Sequence, residues 1–352
     1  MILTIYGICV FAQAASASEI AHVVTPVAPL LPILTEIMRG AGAPSLIKSA
    51  AQNPHNAHLS VSDAQAISKA NAIIVADISM NKNLYETIQK RAAKDAKIIS
   101  LTRLKGANPL PYRRNNPLTN FHAIAKHEAE HAQVKKYTPS EVIYPSTIKK
   151  KPHAHSHTHE HEKNTASIDP HIWLDPIRMA QLLPALAEQL GEIEPEHAAT
   201  FADNAKRLSE HLREEVSPAL ASLFAHIRPA QTKDVIPYVT YHDAYQYFDA
   251  RYGLTQHGFI TQRPEEYVGA ASMKALLEAT NTTKIRCIIA ESNGPLTRNL
   301  AVRSEAAVVI LSPERAYASS ELPSASWARN NYDRLLYKIA ETFVGCIEGR
   351  DS

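Results

Sequence analysis

The chain has 352 residues, with Lys+Arg 37 against Asp+Glu 35 and only 11 glycines. That length accommodates two domains. The near balance of charge excludes the one-sided basic surface of a nucleic-acid binder, and no Gly-rich loop supports nucleotide chemistry.

The first twelve residues form an apolar run too short to cross a bilayer but suited to a signal-peptide core. Ala15-Ser16-Ala17 supplies a small-x-small cleavage pattern, so residues 1–17 are expected to be a signal peptide, although no Lys or Arg precedes the apolar run. Cys9 follows bulky Ile8, which argues against lipid attachment. The mature chain is then expected to be exported, with no membrane span of its own. Cleavage leaves Cys287 and Cys346. An even pair in an exported protein suggests one disulfide, whereas in a cytosolic protein two buried thiols are the better expectation. The two readings stand or fall with export.

From residue 20 the pattern alternates strand and helix. A β-branched strand over 21–27 precedes a helix from Pro29 to Arg39, closed by Gly40 and Gly42. A second strand covers 45–50. Ser62-Asp63 is read as the cap of a helix running to 70, followed by a buried strand over 72–78, a helix over 83–96 and a strand over 97–101. Residues 104–168, rich in Pro, Asn, His and Lys, break the rhythm as a long excursion, with some helix near 120–135. A helix over 177–190 leads into a long amphipathic stretch, 194–226, where Leu208, Leu212, Val216, Leu220 and Leu223 recur at helical spacing. Pro218 is expected to bend or break it. The alternation restarts with strands over 235–241, 255–260, 287–291 and 306–311 and helices over 244–252 and 265–280, a short helix before the last strand, and a final helix over 328–345. The fold class is therefore α/β: two lobes, each a mainly parallel sheet flanked by helices, joined by a long helix. The expected division is 18–190, 191–228 for the connecting helix, and 229–352.

The excursion holds the most informative segment. His153, His155, His157, His159 and His161 stand at alternate positions. Neutral imidazole is a strong ligand for zinc, copper and nickel. The tract is internal and interrupted, unlike a tag, and reads as a solvated loop able to contact metal. Three further histidines, His55, His171 and His242, lie at the carboxyl ends of predicted strands or in the turns after them, where open α/β sheets collect ligands. Taken singly, each is more readily an ordinary core or surface histidine. Together they offer three nitrogens for a tetrahedral zinc site in a cleft between lobes, with Asp169, Asp175 and Asp243 near enough in sequence to orient the rings.

Three motifs carry a family resemblance: Pro54-His55 with Ser62-Asp63 following; Asp169-Pro170-His171-Ile172-Trp173-Leu174-Asp175-Pro176; and Tyr241-His242-Asp243-Ala244-Tyr245-Gln246-Tyr247-Phe248. With the His-rich insertion, they make the chain resemble the ZnuA-type periplasmic zinc receptors of bacterial ABC uptake systems, a family that also contains manganese-binding members. The resemblance implies two lobes with a rigid connecting helix and His55, His171 and His242 as metal ligands. It further implies zinc as the carried ligand, a membrane permease as partner, no enzymatic activity and a monomeric chain. Cys287 and Cys346 fall where some zinc receptors carry a disulfide. Many relatives have Leu-Asp-Pro in the last strand turn, with that Asp a fourth ligand in some. Here the triplet is Leu311-Ser312-Pro313, so the fourth position is expected to go to water or a group such as the His tract, favouring zinc over manganese. Glu291-Ser292-Asn293 stands where the family often has Glu-Pro-Gln. His58 is expected to be an exposed loop residue.

Rival readings remain. His127-Glu128-Ala129-Glu130-His131 matches HExxH, the signature of a zinc metallohydrolase. It is strongly charged and sits in the irregular excursion, which favours an exposed helix. A manganese receptor of the same family, a hydratase using the three histidines, or a zinc-buffering or adhesion protein are further alternatives.

Overall fold

The computed structural model describes residues 21–113, 116, 167–225, 238–266, 268, 273, 277, 285, 287–304 and 306–349. The expected signal peptide, the His-rich tract and the HExxH segment lie outside the described residues, as does nearly all of the helix expected over 265–280.

Two four-stranded parallel sheets organise the chain. The first contains β1 (Val23–Thr25), β2 (Ser45–Leu46), β3 (Ala72–Val75) and β4 (Lys97–Ser100), in the order β2-β1-β3-β4. The second contains β5 (Tyr238–His242), β6 (Gln256–Thr261), β7 (Cys287–Ala290) and β8 (Ala307–Ile310), in the order β6-β5-β7-β8. The two orders are equivalent, and in each the first strand is flanked on both sides by later ones. That reversal opens a crevice at the carboxyl ends of the strands. β1, β3 and β7 are buried throughout, as parallel strands covered on both faces must be.

Helices α1 (Leu30–Ile37), α2 (Val61–Lys69) and α3 (Lys82–Arg91) flank the first sheet. The cap of α2 is Ser60, two residues before the expected position. Ser60 and Asp63 form a capping box, and Asp63 also accepts from the backbone of Lys48 at 2.9 Å, tying α2 to the β2 loop. The strand expected over 45–50 ends at Leu46, because a 3-10 turn over Lys48–Ala50 redirects the chain toward the cleft.

α4 (Pro176–Ile193), α5 (Ala198–His211) and α6 (Ser217–Phe224) form the connection. Pro184 lies inside α4, so the Ala180 carbonyl loses its helical donor. Side chains of the following segment replace it: Ser209 of α5 donates to that carbonyl at 2.7 Å and Arg213, just after α5, at 3.2 Å. Pro218 does not break the connection as expected. A π-helical turn over Leu212–Val216 precedes it, and Pro218 sits in the first turn of α6, where a missing N–H is tolerated. Leu208, Leu212, Val216 and Leu220 are buried, and burying a side chain of this kind contributes about 1.5–3 kcal/mol.

α7 (Gln246–Tyr252), α8 (Pro295–Ser304) and α9 (Asn331–Glu348) complete the second half. Gly253, at φ +69°, ends α7 in the left-handed conformation that glycine adopts without a Cβ penalty. α9 crosses back to pack on α6 and α1, so both halves share one core. A Cys287–Cys346 disulfide, with Cα atoms 5.5 Å apart, fastens β7 to α9.

Candidate metal centre

Four buried side chains, His55, His171, His242 and Glu314, converge with ligand-competent atoms all within 4.8 Å of one another. Each arrives from a different part of the chain. His55 sits in a 3-10 turn after β2, whose first backbone donor is capped by Asn53 at 2.8 Å. Asn81 donates to the Pro54 carbonyl at 3.1 Å and pins that turn to α3.

His171 lies in the turn from Asp169 to Asp175, which both halves grip. Asp175 caps α4 and receives two hydrogen bonds from Arg251 of α7, each 2.8 Å. Tyr247 of α7 donates to the Asp169 carbonyl at 2.8 Å, and Gln246 donates to its carboxylate at 2.9 Å. Trp173 is fully buried, donates to the Pro313 carbonyl at 3.2 Å and packs its ring 5.3 Å from that of His171. These contacts hold the segment from both halves.

His242 is the last residue of β5. Glu314 follows β8 through a turn shaped by Ser312, whose hydroxyl accepts from the backbone N–H of Glu314 at 3.4 Å and of Arg315 at 3.3 Å. The next residues cross to the first half: Ala316 N–H donates to the Ala51 carbonyl at 2.6 Å.

The Nε2 atoms face inward. Glu314 Oε1 is 2.7 Å from His55 Nε2, 2.7 Å from His171 Nε2 and 3.6 Å from His242 Nε2. His171 Nε2 and His242 Nε2 are 3.3 Å apart. Zinc bonds of about 2.05 Å in tetrahedral array place neighbouring donors about 3.3 Å apart, so these nitrogens need little movement to share one ion. Ring centroids are 5.6 Å apart for His55 and His171, 5.7 Å for His55 and His242, and 5.1 Å for His171 and His242.

The outer nitrogens are held by carboxylates on two of the three rings. His171 Nδ1 meets Asp169 at 2.7 Å, and His242 Nδ1 meets Glu291. Burial pulls the His171 pKa down, but Asp169 and Glu314 outweigh it and raise it to about 9. Burial also opposes charge on His242, yet Glu291 and Glu314 hold its pKa well above the ordinary value. Burial disfavours ionised Glu314, but the three imidazoles, His55 foremost, hold its carboxyl well below the usual range. Without metal the cluster thus sets the Glu314 anion against protonated His171 and His242.

The three histidines expected from the sequence come together. A fourth candidate donor, Glu314, joins them where the sequence pointed only to water or the His tract, and its arrival has a local cause. The Ser312-Pro313 turn carries the chain inward, and a glutamate two positions past Ser312 reaches the centre. Ser312 shapes the turn rather than offering a donor. A carboxylate immediately after the Leu-Ser-Pro triplet is the signal that finds it. Of the three expected orienting carboxylates only Asp169 touches a ring: Asp175 caps α4, and Asp243 pairs with Arg113. Glu291 takes the role on His242. His58 is exposed and stands outside the set. A second group, Glu194, Glu196 and His197, is drawn together by a single turn between α4 and α5.

A family model described as ZnuA, zinc-uptake complex component A, periplasmic, matches residues 23–346. The high-affinity zinc uptake system protein ZnuA of Brucella abortus (strain 2308) is 29% identical over 339 residues, 96% of this chain and 95% of the relative. The ZnuA of Yersinia pestis is 25% identical over 271 residues, 77% of this chain and 75% of the relative. A crystal structure of ZnuA superposes with a TM-score of 0.66 at 16% identity, covering 94% of this chain and 100% of that one. The receptor FpvC of Pseudomonas aeruginosa in complex with Mn2+ superposes with a TM-score of 0.64 at 14% identity, covering 95% and 100%. These two structures share the fold. With the family match spanning nearly the whole chain, this protein belongs to the ZnuA family of periplasmic zinc-uptake components.

Proposed function

We propose that this protein is a periplasmic receptor that captures Zn2+ in the cleft between its lobes and delivers it to an ABC-transporter permease. Its ligands are His55, His171, His242 and Glu314. The observation that carries this reading is the convergence of three Nε2 atoms and one carboxylate, all buried, on a common centre from both halves of the chain. Three nitrogens and one oxygen suit zinc better than manganese, which prefers oxygen-rich sites. No helix among the described residues is long and apolar enough to cross a membrane, consistent with a partner that supplies the channel.

Charge bookkeeping explains how a buried site accepts a dication. The apo cluster holds protons on His171 and His242 against Glu314, Asp169 and Glu291. Zinc replaces those two protons, so the net charge of the site is nearly unchanged and little new desolvation cost arises. Asp169 and Glu291 keep the Nδ1–H tautomers and leave Nε2 for the metal. Glu314 exchanges its hydrogen bonds to the imidazole rings for a metal bond.

The lobes are 18–190 and 229–352, with 191–228 connecting them, and residues 1–17 are the export signal. The chain acts as a monomer and as a binding protein rather than an enzyme. The tract His153, His155, His157, His159 and His161 is a weaker, faster collector that raises local zinc. Calorimetric titration of the mature chain tests the reading. One tight zinc site is expected, abolished by His171→Ala and retained after deletion of residues 153–161. Loss of the tight site in the deletion would refute this division of roles.

A further inference from the structure

The outer nitrogens distinguish the three rings. Asp169 holds His171 Nδ1 and Glu291 holds His242 Nδ1, but His55 Nδ1 is buried without a hydrogen-bond partner. Glu265 Oε2 stands 3.7 Å from it, too far for a hydrogen bond. Glu265 follows β6, on the opposite lobe from His55, and its side chain is 32% exposed whereas that of His55 is fully buried.

The segment bearing Glu265 is anchored to residues 112–113 and braced within itself. Gln262 donates through its side chain to the Arg113 carbonyl at 2.9 Å, and its backbone N–H donates to Glu266 at 2.9 Å. The Arg263 guanidinium lies over the Tyr112 ring, 5.5 Å from its centroid. The base of the strap is therefore fixed, while its carboxylate stops just short of a buried donor.

We propose that Glu265 is a positioning residue that latches His55 when zinc is bound. This rests on His55 being a zinc ligand through Nε2. A neutral imidazole that gives Nε2 to a metal carries its proton on Nδ1. That N–H is buried, and leaving it without an acceptor is unfavourable. A shift of about 1 Å brings Glu265 to hydrogen-bond range. The completed contact ties a C-terminal carboxylate to an N-terminal ligand across the cleft and slows zinc release. In the metal-free cluster His55 Nε2 faces Glu314 instead, and the latch stays open.

The test uses the full mature chain with zinc as the probe. Release into excess chelator is followed by stopped flow for wild type, Glu265→Ala and Glu265→Gln. Removing an outer-shell partner typically costs 10–100-fold, so Glu265→Ala is expected to release zinc about 10–100-fold faster with stoichiometry unchanged. Glu265→Gln keeps an acceptor oxygen and is expected within a few-fold of wild type. The His55 Nδ1–H proton resonance of the zinc-loaded protein is expected in wild type and Glu265→Gln and lost to exchange in Glu265→Ala. Wild-type release from Glu265→Ala, or equal acceleration in both variants, overturns the latch while leaving the zinc site intact. His55→Ala, run alongside, separates the two ideas: undiminished zinc affinity in that variant overturns His55 as a ligand and the latch with it.

Discussion

Glu314 Oε1 stands 2.7 Å from His171 Nε2, although 143 residues separate them in the chain. One atom comes from the turn after the last strand of the second sheet and the other from the turn that enters the connecting helices. Their meeting joins the two halves at the point where a metal would bind. Replacing Glu314 by Gln should keep the fold and lower zinc affinity by about 100-fold, roughly 2.7 kcal/mol. Competition with a calibrated chelator checks it. An unchanged affinity would assign the fourth position elsewhere.

Protons and zinc compete for the same nitrogens. The folded pKa of His171, about 9, lies above the unfolded value of about 6.5. The metal-free fold therefore binds this proton more tightly than the unfolded chain does. That stabilisation is fully present below about pH 6.5 and is lost as pH rises through about 9. His242 acts in the same direction. Zinc binding should release between one and two protons near pH 7.5, and affinity should keep rising from pH 6 to 9. Titrations in buffers of different ionisation enthalpy measure the proton count. Zinc affinity independent of pH above 7 would contradict the raised values.

The Cys287–Cys346 disulfide closes a separation of 59 residues. Such a loop is worth about 4 kcal/mol in the chain-entropy account. Replacing both cysteines by serine should lower Tm by several degrees while leaving the zinc stoichiometry at one, since neither cysteine belongs to the metal cluster. Thermal melts with and without zinc report both quantities.

Asp175 serves two elements at once, capping α4 and receiving Arg251 in a two-bond pair. Asp175→Ala removes the cap, worth about 0.5–2 kcal/mol, and leaves the guanidinium unpaired. The expected result is a less stable protein with weakened zinc binding, because the same turn carries His171. Urea unfolding gives the first quantity, and a variant with wild-type stability would show that the turn is held by other contacts.

The strand–helix alternation and the three histidines were legible in the sequence because their signals are local: β-branched runs, apolar periodicity, and histidines at a strand end or in a Pro-containing turn. Ser60 and Ser62 both satisfy the capping spacing, and the reciprocal bonds between Ser60 and Asp63 decide between them. The strand orders, the pairing of Glu291 with His242 and the arrival of Glu314 depend on contacts between distant segments. The effect of Pro218 depends instead on where the helix restarts: a π turn ends just before it and places it in the first turn of α6.

The most direct test is a crystal structure of the zinc-loaded mature chain, with anomalous data collected at the zinc edge. The account predicts one strong peak bounded by His55 Nε2, His171 Nε2, His242 Nε2 and the Glu314 carboxylate, each about 2.0–2.2 Å away. A principal peak elsewhere, or rings turned away from a common ion, would contradict it.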